Sequence, residues 1–282
     1  MNSSTAKRFI AVCVCFAVFA GVWGTSPYAA GAEGEVRLPV IMYHKILSRK
    51  ESGSALLAEQ LEQDLAALKR AGYTCVFPSQ VIAYVKGDGE LPEKPVMLTF
   101  DDGYYSTACY ALTLLQKYDM KGVVNIIGAF TEFSTTSKDH SNPYYSHLTW
   151  EQIKELADSG YFEIGNHTYN MHHYKPRFGI MPKEGEGERA YKQNLKSDIA
   201  RLQKLLGEKC GVNPSIFAYP FGEYSDCAKQ VLLEMGFEML FTCNEGVCVI
   251  AKGDEKCLHY VKRFNRKASY SSDYLISLIE GA

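Results

Sequence analysis

The sequence predicts an α/β fold, a closed or distorted (β/α) barrel of seven or eight parallel strands. Two observations carry that prediction. Short β-rich runs alternate with helical patterns along most of the chain, and the runs are continuously apolar rather than alternating, as expected of strands covered on both faces. A doubly wound open sheet is the alternative, but no G-x-G-x-x-G follows the first strand.

In chain order, the β-rich runs place strands at Pro39 to His44, Thr74 to Pro78, Pro95 to Asp101, Gly122 to Gly128, Tyr161 to Asn166, Ser215 to Pro220, Phe237 to Thr242 and Tyr260 to Phe264. Between them the apolar spacing changes to the helical period at Leu57 to Ala71, Ser106 to Tyr118, Trp150 to Ser159, Arg189 to Gly207, Asp226 to Met235 and Ser271 to Ile279. Gly72, Gly160 and Gly236 stand just past three of these helices, where a left-handed residue ends the last turn. Two polar segments, Thr131 to His147 and His173 to Glu188, leave strand C-termini, the end at which such barrels carry their binding loops.

The chain has 282 residues, 46% of them hydrophobic and 22% charged, enough to bury a sizeable core. No period of repetition runs through it, which excludes a solenoid. Its 30 basic and 32 acidic residues nearly cancel, so no field exists to hold a polyanion, and nucleic acid is not an expected partner. Lys7 and Arg8 precede an uncharged run from Phe9 to Trp23, followed by Ala30-Gly31-Ala32. Residues 1–32 therefore read as a secretory signal, with an uncleaved membrane anchor as the alternative. Beyond it stand seven cysteines, an odd number; export would permit disulfides, with Cys243, Cys248 and Cys257 the first candidates to pair, while an anaerobic source would leave all seven as thiols. The same three make a weak zinc set, because no short C-x-x-C is present.

Chemistry-bearing residues collect at strand ends. Thr99-Phe100-Asp101-Asp102-Gly103 closes the third strand, and adjacent side chains on extended backbone point opposite ways, so one Asp can hold a metal while the other faces a water. A plain Asp-Gly turn would use the same residues. The fifth strand delivers Gly165-Asn166-His167-Thr168, then His172 and His173, three of the chain's seven histidines. His167 and His172 converge only if the backbone bends between them; a surface cluster is the alternative. One carboxylate, two imidazoles and a spare carboxylate compose a hydrolytic metal site. The sixth strand ends Ala218-Tyr219-Pro220-Phe221-Gly222, a turn whose N–H groups could line an oxyanion hole and whose rings could stack on a sugar.

Together, T-F-D-D-G, G-N-H-T and A-Y-P-F-G resemble the polysaccharide deacetylase family, the NodB-type carbohydrate esterases, across residues 36–270. Ile41-Met42-Tyr43-His44, Leu91-Pro92 and Leu148-Thr149-Trp150-Glu151 add to the likeness. The resemblance implies a NodB-type distorted barrel spanning 33–282 that removes acetyl groups from N-acetylglucosamine glycans with a divalent ion, zinc first and Co2+ or Ni2+ as substitutes. It implies Asp101 as general base and Asp102, His167 and His172 as metal ligands. Tyr219, Pro220, Phe221, Gly222 and His44 would then face the substrate. The five-residue step from His167 to His172 resembles the deacetylases of poly-N-acetylglucosamine exopolysaccharide. Two departures stand out. The family loop reads R-x-P-x-G and its Arg holds the catalytic Asp, but here that position is Ala218, which leaves Arg263 as the candidate replacement. The family's acidic His lies in L-x-H, and only Cys257-Leu258-His259 comes near it, so His259 is the candidate acid. The expected protein is thus an exported, cell-envelope hydrolase with a polysaccharide partner, in contact with membrane only if the N-terminus stays attached. An O-acetyl esterase of the xylan type and a catalytically silent glycan-binding module are the competing readings.

Overall fold

The computed structural model describes residues 34–49 and 55–282, so the expected signal segment lies outside the described residues. The first half contains β1 (Glu35–Leu38), β2 (Val40–Tyr43), β3 (Ile46–Leu47), β4 (Leu56–Leu57), α1 (Ala58–Arg70), β5 (Thr74–Cys75), α2 (Pro78–Val85), β6 (Pro95–Phe100), α3 (Leu112–Tyr118), β7 (Gly122–Ile126) and α4 (Gly128–Thr136). The second contains α5 (Trp150–Asp158), β8 (Phe162–Asn166), α6 (Glu188–Cys210), β9 (Ile216–Ala218), α7 (Asp226–Glu234), β10 (Met239–Phe241), β11 (Cys248–Ala251), β12 (Phe264–Asn265) and α8 (Ser272–Gly281).

The main sheet runs β10-β9-β8-β7-β6-β2-β12, parallel at every pairing. One edge of β6 is shared: β5 pairs at Pro95 and Val96, and β7 takes over at Thr99 and Phe100. The sheet then curls on itself. Val261 bridges Phe241 of β10, and three residues later Phe264 pairs with Ile41 of β2, so one short stretch touches both edges. This is the distorted barrel expected from the strand count.

The period-2 alternation sorts the strands' residues into two cores. Val40, Met97, Val123, Ile216, Ala218, Met239, Phe241 and Val261 pack inside. Ile41, Tyr43, Leu98, Phe100, Val124 and Ile164 face α1, α5, α6 and α8. A third cluster joins Phe217, Tyr219 and Leu240 to α6 and α7. Since Met97 points inward, Thr99 and Asp101 do too, which delivers Asp101 to the barrel mouth.

Several elements depart from expectation. The predicted second strand ends at Cys75, because Pro78 starts α2 at a position where its missing N–H is not needed. Part of the polar segment from Thr131 folds as α4, with the Thr135 hydroxyl donating to the Thr131 carbonyl. The last predicted strand contracts to β12 plus the Val261 bridge. β1 and β11 form an antiparallel pair off the barrel. All seven described cysteines are free thiols, and among the described residues the one metal-capable cluster contains none of them, which corrects the expected pairing of Cys243, Cys248 and Cys257.

The C-terminal stretch is tied to α1 by a buried charge cluster. Arg266 Nε and Nη2 donate to Asp64 at 2.7 and 3.0 Å, the Ser272 hydroxyl donates at 2.6 Å and the Tyr43 hydroxyl at 3.3 Å. Asp64 is wholly buried. Arg266→Ala would leave that carboxylate unpaired, and urea denaturation should show a loss of about 3–5 kcal/mol.

Candidate active site

Asp101, 2% exposed, receives three charge-assisted or amide donors. Arg263 grips it in a bidentate fork, Nη1 to Oδ1 and Nη2 to Oδ2, both at 2.8 Å, and Asn125 Nδ2 donates to Oδ1 at 2.6 Å. Arg263 is fully buried, and each of its five donors has a partner. Besides the fork, Nε donates to the Thr242 carbonyl at 2.8 Å, Nη1 to Thr99 Oγ1 at 3.1 Å and Nη2 to Cys243 Sγ at 3.8 Å. Burial would raise the Asp101 carboxyl, but Arg263, with His167 and His44 nearby, holds it well below the usual carboxylate range. Arg263, the candidate replacement for the arginine absent at Ala218, therefore does hold Asp101, from the stretch that closes the barrel. Gly165 on β8 makes room for this arrangement: a Cβ there would fall 2.0 Å from Asn125 Oδ1.

Asp102 turns away from its neighbour through a left-handed φ of 70°. Its Oδ1 lies 3.6 Å from His167 Nε2 and 3.5 Å from His172 Nε2, and no donor among the described residues satisfies it. Ligands about 2.1 Å from a tetrahedral ion sit about 3.4 Å apart, so the three atoms fit one divalent ion. The orphaned, buried Oδ1 is the observation that favours it. His167 Nδ1 lies 2.7 Å from the Ala218 carbonyl and donates to it, which leaves the Nε2 lone pair facing Asp102. Burial and His167 push the His172 imidazole down to about 4, so that ring is neutral near pH 7. The bend that brings these rings together passes through Thr168, φ 74°. Asp198 on α6 secures it by accepting from the backbone N–H groups of Tyr169 and Asn170 at 2.8 and 2.9 Å. Burial and the neighbouring Asp102 carboxylate raise the Tyr104 hydroxyl, which therefore remains protonated.

These residues line a cavity of about 340 Å³ with His44, Tyr174, Phe221 and Cys243. Phe221 is half-buried at φ 59° and rests on the His172 ring, centroids 4.3 Å apart. Gly222 follows at φ 76°, where a Cβ would lie 2.5 Å from that of Cys243. Pro220 is buried beneath the turn. Two expectations need correction. Tyr219 borders this cavity as expected, but its ring is fully buried against Phe217 and Tyr224, so it offers no face for a sugar to stack on. His259 lines a different cavity with Lys86, Glu238 and Glu255, beside the N-terminal end of β10, so it is not brought to Asp101. Sequence reasoning missed Asn125, Tyr104, Tyr174 and Phe178. Asn125 alone had a legible signal, a lone amide inside the apolar run Gly122-Val123-Val124-Asn125-Ile126.

Comparison with known proteins adds to this geometry. The polysaccharide deacetylase family model matches residues 88–240. The poly-β-1,6-N-acetyl-D-glucosamine N-deacetylase of Escherichia coli K12 is 28% identical over 208 residues, covering 66% of this chain but only 30% of that protein. The chain thus spans less than a third of that curated relative. YxkH of Bacillus subtilis, which carries the same family name, is 29% identical over 216 residues, covering 76% of this chain and 67% of its own. Among solved structures, IcaB from Ammonifex degensii superposes with a TM-score of 0.70 at 27% identity, covering 86% of this chain and 97% of that one.

Two outcomes follow from the geometry. Zn2+ titrated calorimetrically into chelator-stripped protein should bind one ion per chain, and His172→Ala should weaken it by more than about 100-fold. The Asp101–Arg263 pair stabilises the fold only while Asp101 stays ionised. Because the folded carboxyl is depressed, that contribution is complete above the unfolded value of about 3.9 and drains away as pH falls through it toward the folded one. Arg263→Gln should therefore be less stable than the parent at pH 7 in urea, and the gap should narrow between about pH 5 and 3.

Proposed function

The chain belongs to the polysaccharide deacetylase family, and from that premise we propose that it is an exported N-deacetylase that hydrolyses acetamide groups of N-acetylglucosamine-containing glycans to amine and acetate. The observation that carries this reading is the division of labour between adjacent aspartates, one facing two imidazoles with an oxygen that accepts no hydrogen bond and the other locked by Arg263 outside that set. Residues 33–282 make up the catalytic domain in this proposal, and export rests on residues 1–32.

Asp102, His167 and His172 would hold a divalent ion of the zinc type. Bound there, it would supply a Lewis acid and lower the pKa of water. Asp101, ionised throughout the working range, accepts the proton of the attacking water; its Oδ2 carries one donor and keeps a lone pair free for this. The N–H groups of Gly222 and Glu223 are already given to the Tyr219 and Pro220 carbonyls, so the backbone donor for the tetrahedral oxyanion is Phe221. His44 is the imidazole of the cavity outside the ligand set and takes the role of proton donor to the leaving amine. The arginine fork also weakens the case for a silent module, whose motive was the missing Arg at Ala218.

Acetate release from N-acetylglucosamine oligomers, peptidoglycan and acetylated xylan tests the proposal. The zinc-loaded protein should release acetate from an amino-sugar polymer, and Asp101→Asn should slow this about 10²- to 10⁴-fold with metal content unchanged. Release from xylan alone would instead establish an O-acetyl esterase.

A further inference from the structure

The loop that carries His172 has two sides. Toward the reacting centre, the segment after it sets Tyr174 and Phe178 against Phe221, centroids 4.6 and 4.9 Å away, as an aromatic rim. Behind it, between residues 169–183 and α6, lies a separate cavity of about 700 Å³, against about 340 Å³ for the catalytic one. That volume is within the range of ligand clefts, roughly 300–1,000 Å³. The two linings share no residue. His172 and Tyr174 face the first cavity, and Met171, His173 and Lys175 face the second.

The second cavity is basic. Lys175, Arg177, Lys183 and Arg201 line it with Asp198 as the one carboxylate, in a chain whose formal net charge is −2. Two of the four cations are already answered. Arg177 pairs with Glu186 at 2.7 Å and Arg201 Nη2 with Glu132 at 3.2 Å, and neither glutamate belongs to the lining. Among the described residues no carboxylate reaches Lys175 or Lys183. Asp198 does not cancel them, because its two oxygens are turned to the histidine loop and accept the Tyr169 and Asn170 N–H groups. Burial also raises its carboxyl, which disfavours the charge. Two ammonium groups are therefore left to face an anion, and the Ser197 hydroxyl with the Asn170 and Asn194 amides supplies neutral partners for hydroxyls. The lysines come from the segment after His172, whereas Ser197 and Arg201 come from α6. A ligand held by both walls ties the loop to the helix.

We propose that this cavity is a second ligand site, for a sugar or polyol bearing phosphate or carboxylate groups, and that its occupancy braces the histidine loop from behind. The site takes no part in the reaction, and the inference stands apart from the deacetylase reading.

Calorimetric titration of glucose 1,6-bisphosphate, digalacturonate and uncharged glucose into the zinc-loaded and the chelator-stripped protein tests it. At least one of the two anions should bind once per chain with zinc or without it, and glucose should not. The affinity should fall as salt rises from about 50 to about 200 mM. Lys175→Gln/Lys183→Gln should weaken binding about tenfold, and Lys175→Arg/Lys183→Arg should restore most of it. Both variants should release acetate from neutral N-acetylglucosamine oligomers as the parent does. Bound anion should slow hydrogen exchange at the Tyr169 and Asn170 amides, which donate to Asp198. Failure of both anions to bind at millimolar concentration, binding that needs zinc, or binding that ignores the glutamine pair would overturn the second site. Acetate release that falls with the glutamine pair on neutral oligomers would place the lysines in the catalytic groove and overturn it as well. Binding with unchanged exchange at the two amides would overturn the bracing.

Discussion

The buried fork between Arg263 and Asp101 is the constraint on which the rest of this structure depends. It lies where the barrel closes, on the short stretch that bridges β10 at Val261 and joins β2 at Phe264. Withdrawing two charges from water costs several kcal/mol per ion, and the cost is met only if every donor and lone pair is used well. Here Thr99, Thr242, Cys243 and Asn125 complete the set. The pair therefore fixes the seam of the barrel and the ionisation of Asp101 at once. It also decides the chemistry next door, since a carboxylate gripped in this way is withheld from any metal, and Asp102 is left to serve as ligand.

The rest of the site depends on how backbone is bent at strand ends. A left-handed φ at Asp102, Thr168 and Phe221 reverses side-chain directions that a regular strand would alternate. Such conformations are unfavourable for residues with a Cβ and persist only where surroundings over-determine them. Asp198 does this for the histidine loop from α6, and the Gly222–Cys243 approach does it for the turn after β9. Rigid elements thereby hold the ligands, while the aromatic rim sits on a loop that the same histidine bend positions.

The barrel, its helices and the four residues at its mouth were legible because each is written locally. Apolar runs give the strands, and Asp101, Asp102, His167 and His172 fall within two short stretches at strand ends. What was not legible depends on three-dimensional partners. The Arg263–Asp101 contact joins residues 162 positions apart, so sequence could offer the arginine only as a candidate. Tyr219 looked like a sugar-facing ring because nothing in Ala218-Tyr219-Pro220 says which side of the strand it takes; the inward Ala218 settles it as outward. His259 failed for a related reason, since the 3₁₀ turn Glu255–Leu258 carries it to the cavity beside Phe237, away from Asp101. The exposed rings Tyr174 and Phe178 had no periodic signal at all, being placed by the Arg177–Glu186 pair beneath them.

The most direct test of the split between the two aspartates is a crystal structure of the zinc-loaded protein with the ion located by its anomalous scattering. One ion should appear about 2.0–2.2 Å from an Asp102 carboxylate oxygen, His167 Nε2 and His172 Nε2, with Asp101 still forked to Arg263 and outside bonding distance. An ion bound by Asp101, or one seated away from the two imidazoles, would contradict the account.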